Sequence, residues 1–139
     1  MGKATKVLLL TLCLVGFVAS VATEGNDIGT TTVYDPPYSP NKCFGDKPLK
    51  TTLLARVGDA LWDEGDACGN MLIVRCERIG DASNRLCKEN ATVVTLIVDH
   101  CSNCKTTFEI SVDAYAKLFD VVVVRGLVVS YDMINTLEG

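Results

Sequence analysis

Two carboxylates, Asp99 and Glu109, flank a Cys101-Ser-Asn-Cys104 turn, one ending a strand-like run and the other inside the next. Such a pair is the minimum equipment for inverting hydrolysis of a glycosidic bond, which needs an acid and a base roughly 6.5–9.5 Å apart with a water between them. The Cys-x-x-Cys motif beside His100 raises two other chemistries, zinc binding and thiol exchange. Zinc takes four ligands, usually in matched pairs, and the single histidine and remaining cysteines supply no second pair at ligand spacing. Thiol exchange of the thioredoxin kind expects the motif to open a helix in a βαβ unit, whereas this one lies between two strands. A structural disulfide is the expectation, with no metal and no cofactor, and His100 reads as incidental. Trp62, Tyr34, Tyr38 and Tyr115 offer rings of the kind that stack on sugars, although Trp62 beside Leu61 reads rather as a buried anchor.

The elements that must position these residues follow an N-terminal segment of a different kind. Lys3 and Lys6, an apolar stretch from Val7 to Val18, and the small residues Ala19, Ser20 and Ala22 form a secretory signal peptide, with cleavage expected after Ala22. The apolar stretch is shorter than the roughly 20 residues needed to span a bilayer, so no membrane insertion is expected. Cleavage removes Cys13 and turns seven cysteines into six, Cys43, Cys68, Cys76, Cys87, Cys101 and Cys104. An even count in a short exported chain reads as three disulfides in an oxidising compartment, with the pairing left open. Loss of the two lysines moves the net charge from −4 to −6, which argues against nucleic acid and anionic lipid as partners. One domain and a monomer are expected.

Along the mature chain, 23–29 reads as a flexible N-terminus and the domain as 30–139, with Thr30–Tyr34 as a first strand. All four prolines fall between Pro36 and Pro48, which predicts an irregular loop held by Cys43. Leu53–Ala60 is ambiguous, and Asp59–Glu64 fits one helical turn. Met71–Glu77 reads as a strand and Arg78–Glu89 as a polar connection. Thr92–Val98 is the most strand-like run, apolar on both faces and so expected to be central. Phe108–Ile110 is a short strand, Ser111 an N-cap for a helix over Val112–Leu118, and Gly126–Tyr131 a last strand. Val121–Val124 reads as an exposed, aggregation-prone run. Asn90-Ala-Thr92 is an N-glycosylation acceptor. Short strands with a modest helix describe a small barrel.

The ordered motifs Thr31–Tyr38, Asn41-Lys-Cys43-Phe-Gly45, Asp59-Ala-Leu-Trp62, Ala67-Cys-Gly69, Val74-Arg-Cys76, Ile97-Val-Asp99-His-Cys101 and Ser111–Tyr115 span the mature chain. In that order it resembles the plant natriuretic peptide-like proteins, relatives of the expansin N-terminal domain, of family 45 endoglucanases and of barwin. The resemblance implies a mainly β fold, a six-stranded double-psi β-barrel with one or two short helices. It implies the pairs Cys43–Cys68, Cys76–Cys87 and Cys101–Cys104, the last closing too little chain to stabilise as the others do. It also places Thr32, Asp99 and Glu109 in a polysaccharide groove, with Glu109 one methylene longer than the expansin aspartate.

In the endoglucanases the matching base lies on the first strand. Asp35 is the nearest acid here, and before Pro36-Pro37 it reads as a loop residue, so no catalytic residue is expected and Asp99 and Glu109 stand as vestigial ones. The function implied is that of a secreted, non-enzymatic protein of the plant extracellular space (the apoplast), acting in water and solute homeostasis or stress signalling through a cell-surface receptor. The activity of that family is ascribed to a segment matching Pro36–Gly69, where Lys47-Pro-Leu-Lys50 and Leu53-Leu-Ala-Arg56 depart from the usual small residues. Binding or loosening of a cell-wall polysaccharide is the alternative, and a barwin-like role in defence a third.

Overall fold

The computed structural model describes residues 27–76 and 86–136. The expected signal peptide, residues 23–26 of the expected flexible N-terminus, most of the 78–89 connection and the last three residues lie outside the described residues. Six described strands, β1 (Asp27–Tyr34), β2 (Leu54–Val57), β3 (Met71–Arg75), β4 (Thr92–His100), β5 (Phe108–Ser111) and β6 (Leu127–Ile134), close into a barrel in the order β1-β5-β2-β4-β3-β6. The pairs β1/β5 and β2/β4 are parallel and the others antiparallel. Parallel neighbours cannot be joined by a tight hairpin. The chain therefore leaves and re-enters the barrel through long crossovers, and these carry the Pro-rich loop, the helical turn at Asp59–Trp62 and the disulfides.

Alternation along each strand fills the interior. Ala55, Val57, Leu72, Val74, Ile97, Phe108, Ile110, Leu127 and Val129 are fully buried. One outer flank is sealed by α2 (Val112–Leu118), whose Ala114, Tyr115 and Leu118 face inward as their helical spacing predicts. α1 (Asp59–Trp62) is the single turn expected, running on into a 3₁₀ turn at Asp63–Gly65. Gly58 before it is required sterically, because a Cβ there would lie 2.9 Å from the Thr107 carbonyl oxygen. Among the described residues, no helix is long and apolar enough to cross a membrane.

Several boundaries differ from the expectation. β1 starts at Asp27, so residues 27–29 are not a loose terminus: they pair with Tyr131, Ser130 and Val129 of β6, and the partner strand supplies order that local propensity does not. β2 resolves the ambiguous segment as a strand, set between β4 and β5. β4 reaches His100 and is buried on both faces only over Ile97 and Val98, whereas Val94 is 46% exposed. A closed barrel has one interior, and its outside is dry only where something docks. Here the Pro-rich loop does so, with the Cys43 N–H donating to the Val98 carbonyl at 3.1 Å. Val121–Val124 is exposed at three of its four positions but forms no strand, since closure leaves no sheet edge for it to join.

The disulfides are Cys43–Cys68, Cys76–Cys87 and Cys101–Cys104, the same three pairs that the resemblance implies. Asn41 staples the Pro-rich loop internally: its side-chain amide donates to the Tyr38 carbonyl at 3.0 Å and its oxygen accepts from Phe44 N at 2.7 Å. Ser111 does more than cap α2. Its buried hydroxyl accepts from Ala114 N at 3.4 Å and from Leu54 N at 3.0 Å, and donates to the Thr52 carbonyl at 2.6 Å. It thus ties the end of β5 to the start of β2. Ser111→Ala removes the cap and leaves a buried Leu54 N–H unpaired, so a loss of about 2–3 kcal/mol is expected in chemical denaturation. Ser111→Thr, which keeps the hydroxyl, should recover part of it.

Candidate functional site

Strand register, not sequence proximity, assembles the site. Thr32 of β1 stands opposite Glu109 of β5, Glu109 opposite Arg56 of β2, and Arg56 opposite Asp99 of β4. The three groove residues expected from sequence therefore share one lateral row, and Arg56 is inserted between the two carboxylates. Neighbouring strands lie about 4.8 Å apart, which puts the Asp99 and Glu109 backbones about 10 Å from each other.

Arg56 holds the centre of this row. Its Nη2 is 2.6 Å from Glu109 Oε1, its Nε donates to the same oxygen at 2.7 Å, and its guanidinium lies 4.4 Å from the centre of the Tyr34 ring. The Cys101 and Cys104 sulfurs lie 3.0 and 3.4 Å from that Glu109 oxygen. Joined in a disulfide, they carry no proton to donate, so these are packing contacts that wedge the carboxylate against Arg56. Cys101, Cys104 and Glu109 also form the one group of potential metal-binding side chains among the described residues. With both sulfurs in the disulfide, neither is a thiolate, and the group offers a cation a single carboxylate.

Asp99 faces the other way along the row. Its Oδ1 accepts from the backbone N–H groups of His100, at 2.9 Å, and Lys42, at 3.2 Å, tying the Pro-rich loop to β4. His100, read as incidental from sequence, is braced on three sides. Its ring stacks on Trp62 with centroids 4.8 Å apart and planes 6° apart, its Nε2 lies 2.6 Å from Asp59 Oδ1, and its Nδ1 lies 3.4 Å from Lys42 Nζ. A neutral ring donating from Nε2 and accepting at Nδ1 satisfies both partners. Trp62 is half-buried rather than a buried anchor, with His100 covering one of its faces. Beyond Thr32 and Glu109 the row opens into a cleft of 470 Å³ bordered by the Cys101–Cys104 turn, Thr106 and Arg125.

The other expected site residues sit elsewhere or are already engaged. Asp35 is exposed in the loop after β1, and Asn90 is exposed at a turn with φ 55°, a left-handed conformation that asparagine tolerates. Tyr115 is 2% exposed, and the Tyr38 hydroxyl is committed to Tyr34 O at 3.1 Å and Val112 N at 3.0 Å. Tyr34 is covered by Arg56. Sequence reasoning missed Arg56 itself, although it is the single charge in the apolar run Leu53–Val57.

A closed six-stranded barrel with two parallel pairs and a polar row across four strands defines the class: an expansin-type double-psi β-barrel. No protein-family model matches the chain. It is 30% identical over 119 residues to an EG45-like domain containing protein of Citrus jambhiri, covering 85% of this chain and 88% of that protein. To EG45-like domain containing protein 2 of Arabidopsis thaliana it is 33% identical over 115 residues, covering 81% and 83%. The chain belongs to the EG45-like domain containing proteins. Among solved structures it is similar to the ligand-free expansin of Clavibacter michiganensis, with TM-score 0.58 and 18% identity over 81% of this chain and 52% of that one. An aspartate-to-asparagine variant of the same expansin, in complex with cellohexaose, gives TM-score 0.59 and 19% identity over 80% and 51%. The chain thus spans about half the length of those expansins, and at this identity the likeness is one of fold.

Two measurements test this geometry. A double-mutant cycle with Arg56→Gln and Glu109→Gln should give a coupling of about 1 kcal/mol that shrinks with added salt, the modest size following from a half-exposed arginine. Burial pushes the Tyr34 phenol above its ordinary value of 10.0 against the pull of the Arg56 guanidinium, and burial with the Asp27 carboxylate raises Tyr131. Both folded values are raised, so their contribution is fully present below pH 10 and is lost as the pH climbs beyond it. The denaturation midpoint should fall above about pH 10, less steeply in Tyr34→Phe. Because the Tyr34 hydroxyl has no hydrogen-bond partner among the described residues, that variant should cost less than about 1 kcal/mol at neutral pH.

Proposed function

We propose that this chain is an extracellular, non-catalytic module that binds a neutral cell-wall β-glucan along the row Thr32–Glu109–Arg56–Asp99. The observation that carries this reading is the in-register alignment of a hydroxyl, a carboxylate, a guanidinium and a second carboxylate across four adjacent strands. Such a track presents alternating acceptors and donors to a chain of sugar hydroxyls. The cellohexaose complex of the structurally similar expansin supports a linear glucan as ligand. The tyrosines of the region are committed to packing, which leaves Trp62 near the Asp99 end as the aromatic face within reach of a sugar ring, and binding rests chiefly on hydrogen bonds.

Hydrolysis is not part of this proposal. Arg56 holds Glu109 through its Oε1, Asp99 is tied to two backbone N–H groups, and Asp35 is out in a loop. Three disulfides and the exposed Asn90 sequon support export after cleavage at Ala22. The natriuretic-type signalling role is a second reading, favoured by one observation: the segment Pro36–Gly69 that would carry it contributes Lys42, Arg56, Asp59 and Trp62 to the same surface. A receptor and a glucan would then compete for one face.

Pull-down of the mature protein on cellulose, xylan and chitin should show retention on cellulose that Arg56→Gln combined with Glu109→Gln reduces by about tenfold. Absence of retention on every polymer would sink the glucan reading. Incubation with cellulose at mildly acidic pH should release no reducing sugar, with Asp99→Asn indistinguishable from the unmodified chain. If protoplast volume responds to the protein and cellohexaose blocks the response, the signalling role shares the groove.

A further inference from the structure

At the end of the barrel away from the Cys101–Cys104 turn lies a second and larger cleft, of 780 Å³, within the range of about 300–1,000 Å³ typical of ligand sites. Three separate elements wall it. The segment leading into β2 contributes Leu49, Lys50, Thr51, Thr52 and Leu53, the exposed side of α2 contributes Asp113, Ala116 and Lys117, and Lys88 closes the third side. Thr52 lies four residues before Arg56, about 13 Å along the strand direction, which separates this cleft from the row.

The charge of the cleft is opposite to that of the molecule. Among the described residues three lysines and one aspartate line it, on a chain whose formal charge is −4. With a Debye length of about 8 Å at physiological ionic strength, a ligand inside senses these groups and not the acids on distant faces. Lys88 is positioned rather than loose. Its backbone N–H donates to the Leu118 carbonyl at 2.8 Å and its Nζ to the Ala116 carbonyl at 2.6 Å, while neighbouring Cys87 is fixed by the disulfide to Cys76 and by bridge pairing with Phe119. One bond to Ala116 leaves two ammonium N–H groups for a ligand.

We propose that this cleft binds an acidic oligosaccharide, a chain of uronic acid residues. Cations standing on three different walls of an open cleft suit charges spaced along a chain better than one compact anion. Asp113 among them would repel a phosphate cluster, but can accept hydrogen bonds from sugar hydroxyls. Thr51 and Thr52 add short hydroxyls, and Leu49, Leu53 and Ala116 give an apolar floor for ring faces. The neutral-glucan track and the acidic-glycan cleft would let one small domain bridge two kinds of wall polymer.

The test is calorimetric titration of the mature chain with an oligogalacturonide and with its methyl-esterified form. The acidic form should bind, more weakly as salt is raised, and the ester should bind at least about tenfold more weakly. The exposed double variant Lys50→Gln/Lys117→Gln should lose about tenfold in affinity, Asp113→Asn should gain, and Glu109→Gln, in the other site, should change nothing. Equal binding of acid and ester, no binding of the acid form, an unchanged double variant, or full competition by inorganic phosphate at matched ionic strength would each overturn the proposal. Cellohexaose titrated alongside reports the other site by itself, so the two readings fail separately.

Discussion

A sheet made of strands as short as the four residues of β2 and β5 holds together because it closes. Closure gives every described strand two partners, leaves no edge to be protected, and turns two parallel pairs and four antiparallel ones into a single interior. Parallel pairing then dictates the rest. Each parallel pair demands a long excursion of the chain between its members, and the Pro-rich loop and α1 lie on such excursions, while α2 follows β5 on the way to β6. Ser111 shows how tightly the excursions are tied back, since one buried hydroxyl serves the start of β2, the end of β5 and the first turn of α2.

The same closure sets the electrostatics of the row. β2 lies between β5 and β4, so Arg56 comes between Glu109 and Asp99, and the two acids are separated by a cation instead of facing each other across a water. Arg56 in turn is held from beneath by Tyr34 and Glu109 from the side by the Cys101–Cys104 turn. The short disulfide ring contributes little through chain entropy. Its contribution is positional: it sets the reach of Glu109 toward Arg56. Asp99 fastens a loop to a strand end, and His100 is the post between Trp62, Asp59 and Lys42.

Charge distribution in this molecule likewise depends on the fold. The acidic excess of the sequence reads against polyanionic partners, yet lysines 38 and 67 residues after Lys50 join it around one cleft because Lys88 is clamped to the C-terminal turn of α2. Net charge describes the whole surface. A ligand within a screened cleft responds to the few groups that line it.

What is local or compositional was legible along the chain: the even set of six cysteines after the expected cleavage, the Ser111 cap and the apolar face of α2, the helical turn at Asp59, and the alternation that marks most strands. Motif order carried the barrel and the disulfide pairs, and named Thr32, Asp99 and Glu109. It took the folded barrel to make Asp27–Gly29 a strand, to expose Val94 while covering Ile97 and Val98, and to turn Arg56 and His100 into structural centres. The physical reason is that these properties belong to pairs. A strand end is ordered by the partner it finds, a face is dry only where a loop docks, and an arginine in an apolar run is paired by an acid 53 residues away that no pattern along the chain brings to it.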